Sequence, residues 1–247
     1  MFASAVVYSG IVVAVAGLVG LIKPVRRLGI PTRRRAAKVG ASGVLLAIVG
    51  MILPAPESRT TRATTRLDEF VPRWQFNEFH TIEIAAPPDK VFDAIKRVRA
   101  DEILFFRALT WIRRGGQPLP AGILNAGTRE SLIDVALKGG FVTLANDVPR
   151  ELVIGTVVVA PRGTRGDMTR DVFKTQMPPG FALAAMNFVV TPLATGGSLV
   201  TTETRVFATS ASARRGFARY WRLIYPGSAL IRIRWLRAVR ERSTKAS

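Results

Sequence analysis

The sequence predicts an α+β domain that follows a two-helix transmembrane hairpin. Three observations lead to this prediction: two long uncharged stretches near the N-terminus, alternating strand patterns in the middle of the chain, and one long helical pattern at its end. Strands and helices that are segregated along a chain are typical of α+β folds. A chain of 247 residues is long enough for the hairpin and one such domain.

Composition and charge exclude several classes of protein and of site. The chain has 36 Lys and Arg, 17 Asp and Glu and a formal net charge of +19, while 48% of its residues are hydrophobic. This apolar content excludes a disordered basic tail. The chain has no Cys and one His, which excludes a disulfide scaffold or a Cys-ligated metal and argues against a His-ligated zinc or a Ser-His-Asp triad. We therefore expect no metal and no cofactor.

The two uncharged stretches predict transmembrane helices. Residues 2–22 are long enough to cross about 30 Å of hydrocarbon as a helix. A secretory signal peptide is the alternative, but no Lys or Arg precedes Lys23. Residues 39–56 are shorter and richer in glycine, and alone they would also fit a buried helix of a soluble protein. Beside the first stretch they predict the return helix of a hairpin.

The link between the two stretches, residues 23–38, is strongly basic. It contains seven Lys or Arg and no acid. The positive-inside rule places such a short loop in the cytoplasm. We therefore expect an integral protein of the cell membrane whose two chain ends, and with them the soluble domain, lie outside the cytoplasm. Contact with anionic headgroups is compatible with either orientation. Four arginines after the second stretch make the difference in charge modest: Arg59, Arg62, Arg66 and Arg73.

The remaining chain predicts a linker and one domain. Residues 57–72 are rich in hydroxyl side chains, lack apolar periodicity and predict an extended linker. Residues 73–247 predict the α+β domain. Alternation predicts strands at 78–85, 129–137, 140–145, 151–160, 181–192 and 198–208, with a weaker one near 171–175. Helical spacing predicts helices at 88–98, at 101–113 and at 210–242, the last interrupted at Pro226-Gly227.

Several motifs follow this order of elements. They are PPDKVFDAI, ADEILFFRALTWIR, PRELVIGTVV, AAMNFVV, TTETRVFAT and FARYWRLIYPGSALIRIRWLRAVR. Together they resemble a membrane-attached bacterial branch of the START-like helix-grip superfamily (SRPBCC), which includes polyketide cyclase-like proteins. The resemblance covers about residues 76–242. It implies a curved antiparallel sheet around the long C-terminal helix, with a cavity between them for an apolar ligand such as a lipid, sterol or polyketide.

Four polar residues are candidates for that cavity. Glu203 and Arg205 lie two apart on the last strand and therefore share a face, where they would give an apolar pocket a polar anchor. The alternative is a surface or structural ion pair that contributes little. Glu102 either complements the dipole of a short helix or pairs with Arg205 or Arg107. Asn187 either places its amide in the cavity or faces solvent.

Aromatic residues and the unique histidine are weaker candidates. Phe105, Trp111 and Phe141 either belong to the core or line the cavity, and periodicity does not separate the two. His80 stands near the start of a strand with no acid–base partner visible in the sequence. We expect it to be structural.

The C-terminal helix predicts a membrane-surface contact. Residues 211–247 contain ten basic residues and one acid. Arg234, Arg237 and Arg240 are the candidates for contact with anionic headgroups. An ordinary solvated face is the alternative.

These observations predict a membrane-anchored START-like domain that binds a hydrophobic small molecule or lipid near the bilayer. One alternative is a cyclase or dehydratase that uses a cavity carboxylate of Glu102, Glu203 or Asp134. Another is a structural or regulatory membrane protein whose cavity is filled by side chains. The positive charge also fits nucleic-acid binding, but two predicted spans and the lack of a recognised reading module argue against it.

Overall fold

The computed structural model describes residues 2–118, 122–164, 169–175 and 177–245. It shows an α+β protein with a five-stranded antiparallel sheet, a long C-terminal helix and two N-terminal apolar helices. The chain divides into two units. The hairpin unit comprises Met1–Ala55 and Arg215–Tyr225, and the sheet unit comprises Pro56–Arg214 and Pro226–Ser247.

The elements follow one another along the chain in this way. The α-helices are α1 (Phe2–Ile22), α2 (Arg33–Ile52), α3 (Leu67–Phe70), α4 (Pro88–Arg97), α5 (Phe106–Arg113), α6 (Leu132–Lys138) and α7 (Ala211–Thr244). The strands are β1 (Ser58–Arg59), β2 (Arg73–Trp74), β3 (Phe76–Ile84), β4 (Val142–Asp147), β5 (Glu151–Val159), β6 (Ala182–Pro192) and β7 (Ser198–Ala208). Short 3-10 helices lie at Arg26–Leu28, Ala100–Glu102 and Arg170–Phe173.

In the hairpin unit, α1 and α2 pack against each other in opposite directions. Both are long and apolar enough to cross a membrane. Helix α1 has the predicted bounds, whereas α2 begins six residues before the predicted span, at Arg33. It begins there because the Thr32 hydroxyl accepts a hydrogen bond from the Arg35 N–H at 3.3 Å and caps the helix. Part of the predicted basic loop is therefore the first turns of α2.

Glycines allow these two helices to approach closely. A Cβ on Gly10 would lie 2.4 Å from the Ala47 nitrogen, and one on Gly43 would lie 2.2 Å from the Ala14 nitrogen. By contrast, the atom nearest to a Cβ on Gly40 would be 3.8 Å away. Small residues at such positions are what lets membrane helices pack backbone to backbone.

Part of α7 belongs to the hairpin unit and contacts both helices. The Arg222 guanidinium donates hydrogen bonds to the carbonyl oxygens of Met51 and Leu53. The Tyr8 hydroxyl donates to the Leu223 carbonyl oxygen at 2.5 Å. Because the last carbonyls of a helix lack partners within it, Arg222 satisfies the end of α2.

Helix α7 is continuous, although the sequence predicts an interruption at Pro226. Its described length runs from Ala211 to Thr244 with the proline inside it. A proline removes one backbone hydrogen bond from a helix. Buried side chains on both sides of it, including Trp221 and Trp235, hold the helix in spite of that loss.

The sheet has the strand order β3-β7-β6-β5-β4. Each of these strands lies within two residues of its predicted bounds. The inner face of the sheet packs against α4, α6 and the part of α7 from Pro226 onward. Its core residues include Phe92, Leu132, Phe188 and Trp235. A second core, on the outer face, contains Leu67, Phe70, Val153, Phe173 and Leu183.

Two predicted strands are helical in the structure. The predicted strand at 129–137 is α6, because the Ser131 side chain accepts a hydrogen bond from the Asp134 N–H at 3.1 Å and starts a helix. The apolar residues that follow fit the spacing of a helix as well as that of a strand. The prediction of a strand was wrong because this spacing alone does not distinguish the two. The weak candidate near 171–175 overlaps the 3-10 helix Arg170–Phe173.

The segment predicted as an extended linker is folded onto the sheet unit. Strand β1 pairs with β2, and α3 lies between them. Leu67 is fully buried, and Asp68 and Phe70 are nearly so. The prediction missed this packing because the segment has only these few apolar residues, and they are not periodic. We call Glu57–Trp74 the covering segment, because it lies over the outer face.

The glycine contacts give the first test. Gly43→Ala should lower the free energy of unfolding by about 1–3 kcal/mol, because the new methyl group forces α1 and α2 apart. Gly40→Ala on the same helix should be neutral or stabilise by up to about 1 kcal/mol, because Ala favours a helix over Gly. Thermal unfolding of both full-length variants in detergent measures the difference. Equal melting temperatures would contradict the described packing.

Candidate functional site

Arg205 is the centre of a buried ion-pair network on the outer face. Its Nη1 lies 2.7 Å from Asp68 Oδ1, and its Nε and Nη2 donate to the two carboxylate oxygens of Glu203 at 2.8 and 2.9 Å. The guanidinium also stacks on Trp74, with Cζ 3.9 Å from the ring centroid. Because Arg205 is only 7% exposed, the two carboxylates supply the charge that its burial requires.

Asp68 receives further hydrogen bonds from the covering segment itself. Burial alone would raise the pKa of Asp68. The backbone N–H of Thr64, the Arg205 guanidinium, the N–H of Thr65 and the Thr60 hydroxyl all donate to its carboxylate and outweigh that effect. They hold the pKa of Asp68 well below its usual range. The hydroxyl-rich stretch that suggests a linker therefore wraps a buried carboxylate.

A second buried carboxylate, Glu151, extends the network. Its Oε1 accepts a hydrogen bond from Asn187 Nδ2 at 2.8 Å, and its Oε2 accepts one from the Arg66 N–H at 2.8 Å. Asn187 Oδ1 in turn accepts from the Glu203 N–H at 2.9 Å. The covering segment is thus fixed to β5, β6 and β7 by polar side chains.

The structure brings three predicted site residues together, but on the outer face. Glu203 and Arg205 share a face as predicted, and Asn187 on β6 lies opposite Glu203. That face is covered by Glu57–Trp74, whereas the part of α7 from Pro226 onward packs on the inner face. Alternation predicts which residues share a face. It does not tell which face the long helix covers, so the predicted position of these residues between sheet and helix is corrected.

Glu102 has a partner that the sequence analysis did not consider. Its two carboxylate oxygens accept hydrogen bonds from Arg242 at 2.7 and 3.0 Å, and Oε1 also accepts from the Arg99 N–H. Burial acts to raise the pKa of Glu102, and the bonds from Arg242 and Arg99 outweigh it and lower the pKa. The expected partners, Arg205 and Arg107, are not bound to it. This ion pair ties the 3-10 helix before α5 to the end of α7.

The aromatic and basic candidates fall in different places. Phe141 is half-buried and packs against the inner core. Phe105 and Trp111 are exposed rather than enclosed in a cavity. Arg237 and Arg240 are exposed on α7.

Arg234 is half-buried, with its Cζ 5.9 Å from the centroid of the Phe105 ring. It is therefore the predicted membrane-surface arginine that lies beside an exposed aromatic side chain.

The inner face holds a polar cluster that the sequence analysis missed. His80 Nε2 is 2.9 Å from Oε1 of Glu78, a fully buried residue two positions earlier on β3. Arg232 donates to the Thr204 hydroxyl at 3.2 Å, and burial lowers its pKa while the charge of Glu78 opposes that effect. The i, i+2 spacing of Glu78 and His80 was the available signal. Arg232 lies on α7, far from β3 in the sequence, so no local pattern connects it with Glu78 and His80.

Three atoms of this region have no hydrogen-bond partner within the described ranges. They are Glu78 Oε2, Arg232 Nη1 and Trp235 Nε1. The surroundings are otherwise packed: Phe188 and Trp235 are each 1% exposed, and their ring centroids lie 5.1 Å apart. The polar cluster therefore lies beside buried aromatic side chains of the inner core.

A cleft of about 480 Å³ lies on the outer face, beside the Arg205 network. We call it the outer cleft. The covering segment, residues 173–175 with Met177, and residues of β6 and β7 form its walls. Its apolar lining residues are Phe70, Val71, Phe173, Met177, Leu183 and Phe207. Its volume is within the range of small-molecule sites in proteins, about 300–1,000 Å³.

The rim of the outer cleft is basic. Arg73 stacks on Phe207, with Cζ 4.9 Å from the ring centroid, and its Nη1 is 3.7 Å from Glu57 Oε1. Lys174 also lines the cleft and is exposed. The residues that line this cleft, within the described part of the chain, include no Asp, Glu or His. The site therefore combines apolar walls with two cations at its opening.

No group of three or more His, Asp or Glu side chains in the described ranges is placed to hold a metal ion. Asp134, another candidate carboxylate, accepts a hydrogen bond from the Ser131 hydroxyl at 2.7 Å at the start of α6. The arrangement of polar groups thus serves caps and ion pairs, and the outer cleft is the candidate binding site.

No family model and no curated protein sequence matches the chain. Protein MLL2253 from Mesorhizobium loti is 14% identical with a TM-score of 0.34, and the match covers 69% of this chain and 100% of that one. The solved structure of CalU16 from Micromonospora echinospora is 18% identical with a TM-score of 0.25, and the match covers 69% of this chain and 83% of that one. The solved structure of Ara h 8.0201 is 11% identical with a TM-score of 0.17, and the match covers 62% of this chain and 98% of that one.

The Arg205 network gives the second test. Arg205→Ala should lower the free energy of unfolding by about 3–5 kcal/mol, because it leaves Asp68 and Glu203 buried without a cation. The control is Arg97→Ala, which removes an exposed ion pair with Asp93 and should cost at most about 1 kcal/mol. Unfolding of the full-length proteins in detergent measures both. A melting temperature of Arg205→Ala equal to that of the control would show that the network does not hold the covering segment.

Proposed function

We propose that this chain is a membrane-anchored START-like protein that binds a hydrophobic ligand with an anionic end in its outer cleft. The outer cleft is the single observation that carries this proposal. Its walls are apolar, and Arg73 and Lys174 stand at its opening without an acid among the described lining residues. Lipids and other amphipathic acids have this combination of an apolar body and a negative end.

The chemistry of the cleft supports such a ligand. Each CH₂ group that leaves water for the apolar walls contributes about 0.8 kcal/mol. A carboxylate or phosphate at the opening gains charge-assisted hydrogen bonds from Arg73 and Lys174. Arg73 and Lys174 remain close to solvent. We therefore expect these cations to determine which end of the ligand lies at the opening, while the apolar walls supply most of the binding free energy.

The order of elements supports a helix-grip domain. Strand β3 is followed by the helices α4 to α6, then by four antiparallel strands and by α7. The part of α7 from Pro226 onward packs on the inner face through Trp235, Leu236 and Val239. The proposal places the ligand on the opposite face, because the cleft of about 480 Å³ lies there.

Membrane attachment is part of the proposal. Helices α1 and α2 are long and apolar enough to span a bilayer. Large apolar side chains on them are exposed, including Val12 at 66%, Leu18 at 59% and Leu45 at 63%. Such side chains are more stable in hydrocarbon than in water.

The outer cleft favours binding over catalysis. A cyclase or dehydratase needs a group that takes or gives a proton in its pocket. Glu203 is bound to Arg205, and Glu102 to Arg242. The described lining of the outer cleft contains no carboxylate or imidazole.

Photolabelling tests the proposed ligand site. Dodecanoic acid with a diazirine at its far end should label the full-length protein in detergent at residues of the outer cleft, such as Met177 or Phe207. Excess dodecanoate should compete with this labelling. Met177→Trp, which fills the cleft, should abolish it, whereas Val148→Trp at an exposed turn should not. Labels confined to β3, to the second half of α7 or to the hairpin would overturn the proposal.

The cations at the opening can be tested with the same probe. Lys174→Ala should weaken labelling by the acid several-fold, equivalent to about 1 kcal/mol, and should leave labelling by the matching alcohol unchanged. Lys90→Ala, which removes an exposed lysine on α4, is the control. Equal loss of acid and alcohol labelling would show that Lys174 does not select an anionic end.

The proposed topology has its own test. From the basic link between α1 and α2 we expect residues 33–35 in the cytoplasm and the sheet unit outside it. A phosphatase fused to the C-terminus should be active, and a fluorescent protein fused there should be dark. The reverse pattern would place the sheet unit in the cytoplasm and leave the ligand site untouched.

A further inference from the structure

The exposed side of α5 and the turn before it carry an apolar patch. Leu104, Phe105, Trp111 and Ile112 are 52%, 53%, 55% and 64% exposed. Large apolar side chains exposed in a group mark an interaction surface more often than single exposed ones do. We call these four residues the α5 patch. None of them lines the outer cleft.

The backbone holds this patch outward. Phe105 has a φ of 66°, in the left-handed region that a bulky residue rarely adopts. Its carbonyl oxygen accepts a hydrogen bond from the Leu109 N–H at 2.9 Å, so it forms the start of α5. Phe106 and Thr110 are buried on the other side of the helix. Phe105 therefore combines a strained backbone conformation with an exposed aromatic ring.

A second cleft, of about 320 Å³, adjoins the patch between α5 and residues 124–126. Arg107 of α5, Arg114 directly after its end, and Trp111 between them all line this cleft. Arg114 Nη1 donates to Asn125 Oδ1 at 3.3 Å, while its buried Nε has no acceptor within the described ranges. No Asp or Glu is among the described residues that line this cleft.

Arg234 of α7 adds a third cation beside the patch. Its Cζ lies 5.9 Å from the centroid of the Phe105 ring, and its buried Nε also lacks an acceptor within the described ranges. Three guanidinium groups of the sheet unit thus accompany the α5 patch: Arg107 and Arg114 at the cleft beside Trp111, and Arg234 beside Phe105.

We propose that the α5 patch docks on the surface of an anionic bilayer and that Arg107 and Arg114 bind a lipid phosphate. Trp and other aromatic side chains are favoured at the level of the headgroups, and a guanidinium matches the geometry of phosphate oxygens. The described residues that line this cleft include no acid that would repel a phosphate there. This inference rests on the proposed membrane attachment, and it is independent of the outer cleft.

The lack of cysteine allows a direct test in the full-length chain. Ile112→Cys, labelled with an environment-sensitive nitrobenzoxadiazole dye, is reconstituted into nanodiscs of phosphatidylcholine alone or mixed with phosphatidylglycerol. In the mixed nanodiscs its emission should shift to the blue, and spin-labelled lipids should quench it. Val148→Cys, at an exposed turn of the sheet unit and likewise 64% exposed in the native protein, is the matched control and should remain in water in both.

A charge variant separates the headgroup site from apolar insertion. Arg107→Gln with Arg114→Gln should reduce quenching in the mixed nanodiscs to the level seen with phosphatidylcholine alone. Arg97→Gln with Lys90→Gln removes two exposed cations from α4 and should leave the quenching unchanged. Circular dichroism confirms that each variant is folded.

The remaining outcomes are decisive as well. A dye at position 112 that stays in water in the anionic nanodiscs overturns the inference, and so does a blue shift without quenching by lipid, which indicates a protein contact. Equal quenching in both membranes overturns the phosphate site. A chain that does not enter nanodiscs at all refutes the membrane attachment instead, so the two failures are distinguishable.

Discussion

The burial of the Arg205 guanidinium group determines how the outer face of the sheet is covered. The Arg205 side chain is buried on the outer face of the sheet, and a buried cation without partners would cost several kcal/mol. Glu203 supplies one partner from the same strand, but Asp68 supplies the other from Glu57–Trp74. That segment must therefore lie across the outer face. Because it also carries Phe70 and Arg73, the ion pair forms a wall of the outer cleft as a consequence.

The two faces of the sheet show why the sequence predicts which site residues share a face but not which face that is. The strands were predicted closely because alternation is a local property, and the shared face of Glu203 and Arg205 followed from it. Polar residues alternate on both faces, since Glu78 and Thr204 lie inside while Glu203 and Arg205 lie outside. The pattern therefore contains no information on which face the long helix covers. The outer cleft was missed for that reason.

Partners that are distant in sequence account for the other differences. Asp68 and Arg205 are 137 residues apart, and Glu102 and Arg242 are 140 apart. Local composition made residues 57–72 look like a linker because their hydroxyl groups had no visible acceptor. The hairpin was predicted better, since uncharged length is a local signal. Even there, α2 begins earlier than the predicted span, because the Thr32 side chain caps the helix and a single capping side chain can decide where a helix begins.

The distribution of acids also explains where an excess of cations can act. With 17 acids against 36 basic side chains, few carboxylates remain once the structural pairs are made. Arg205, Arg242 and Lys138 each have a carboxylate within 2.7 Å. Lys174, Arg107 and Arg114 have none at ion-pair distance among the described residues. The ion pairs of Arg205 and Arg242 join segments that are distant in sequence. Lys174, Arg107 and Arg114 instead line clefts that also have apolar walls, which is the arrangement that an amphipathic anion or an anionic bilayer complements.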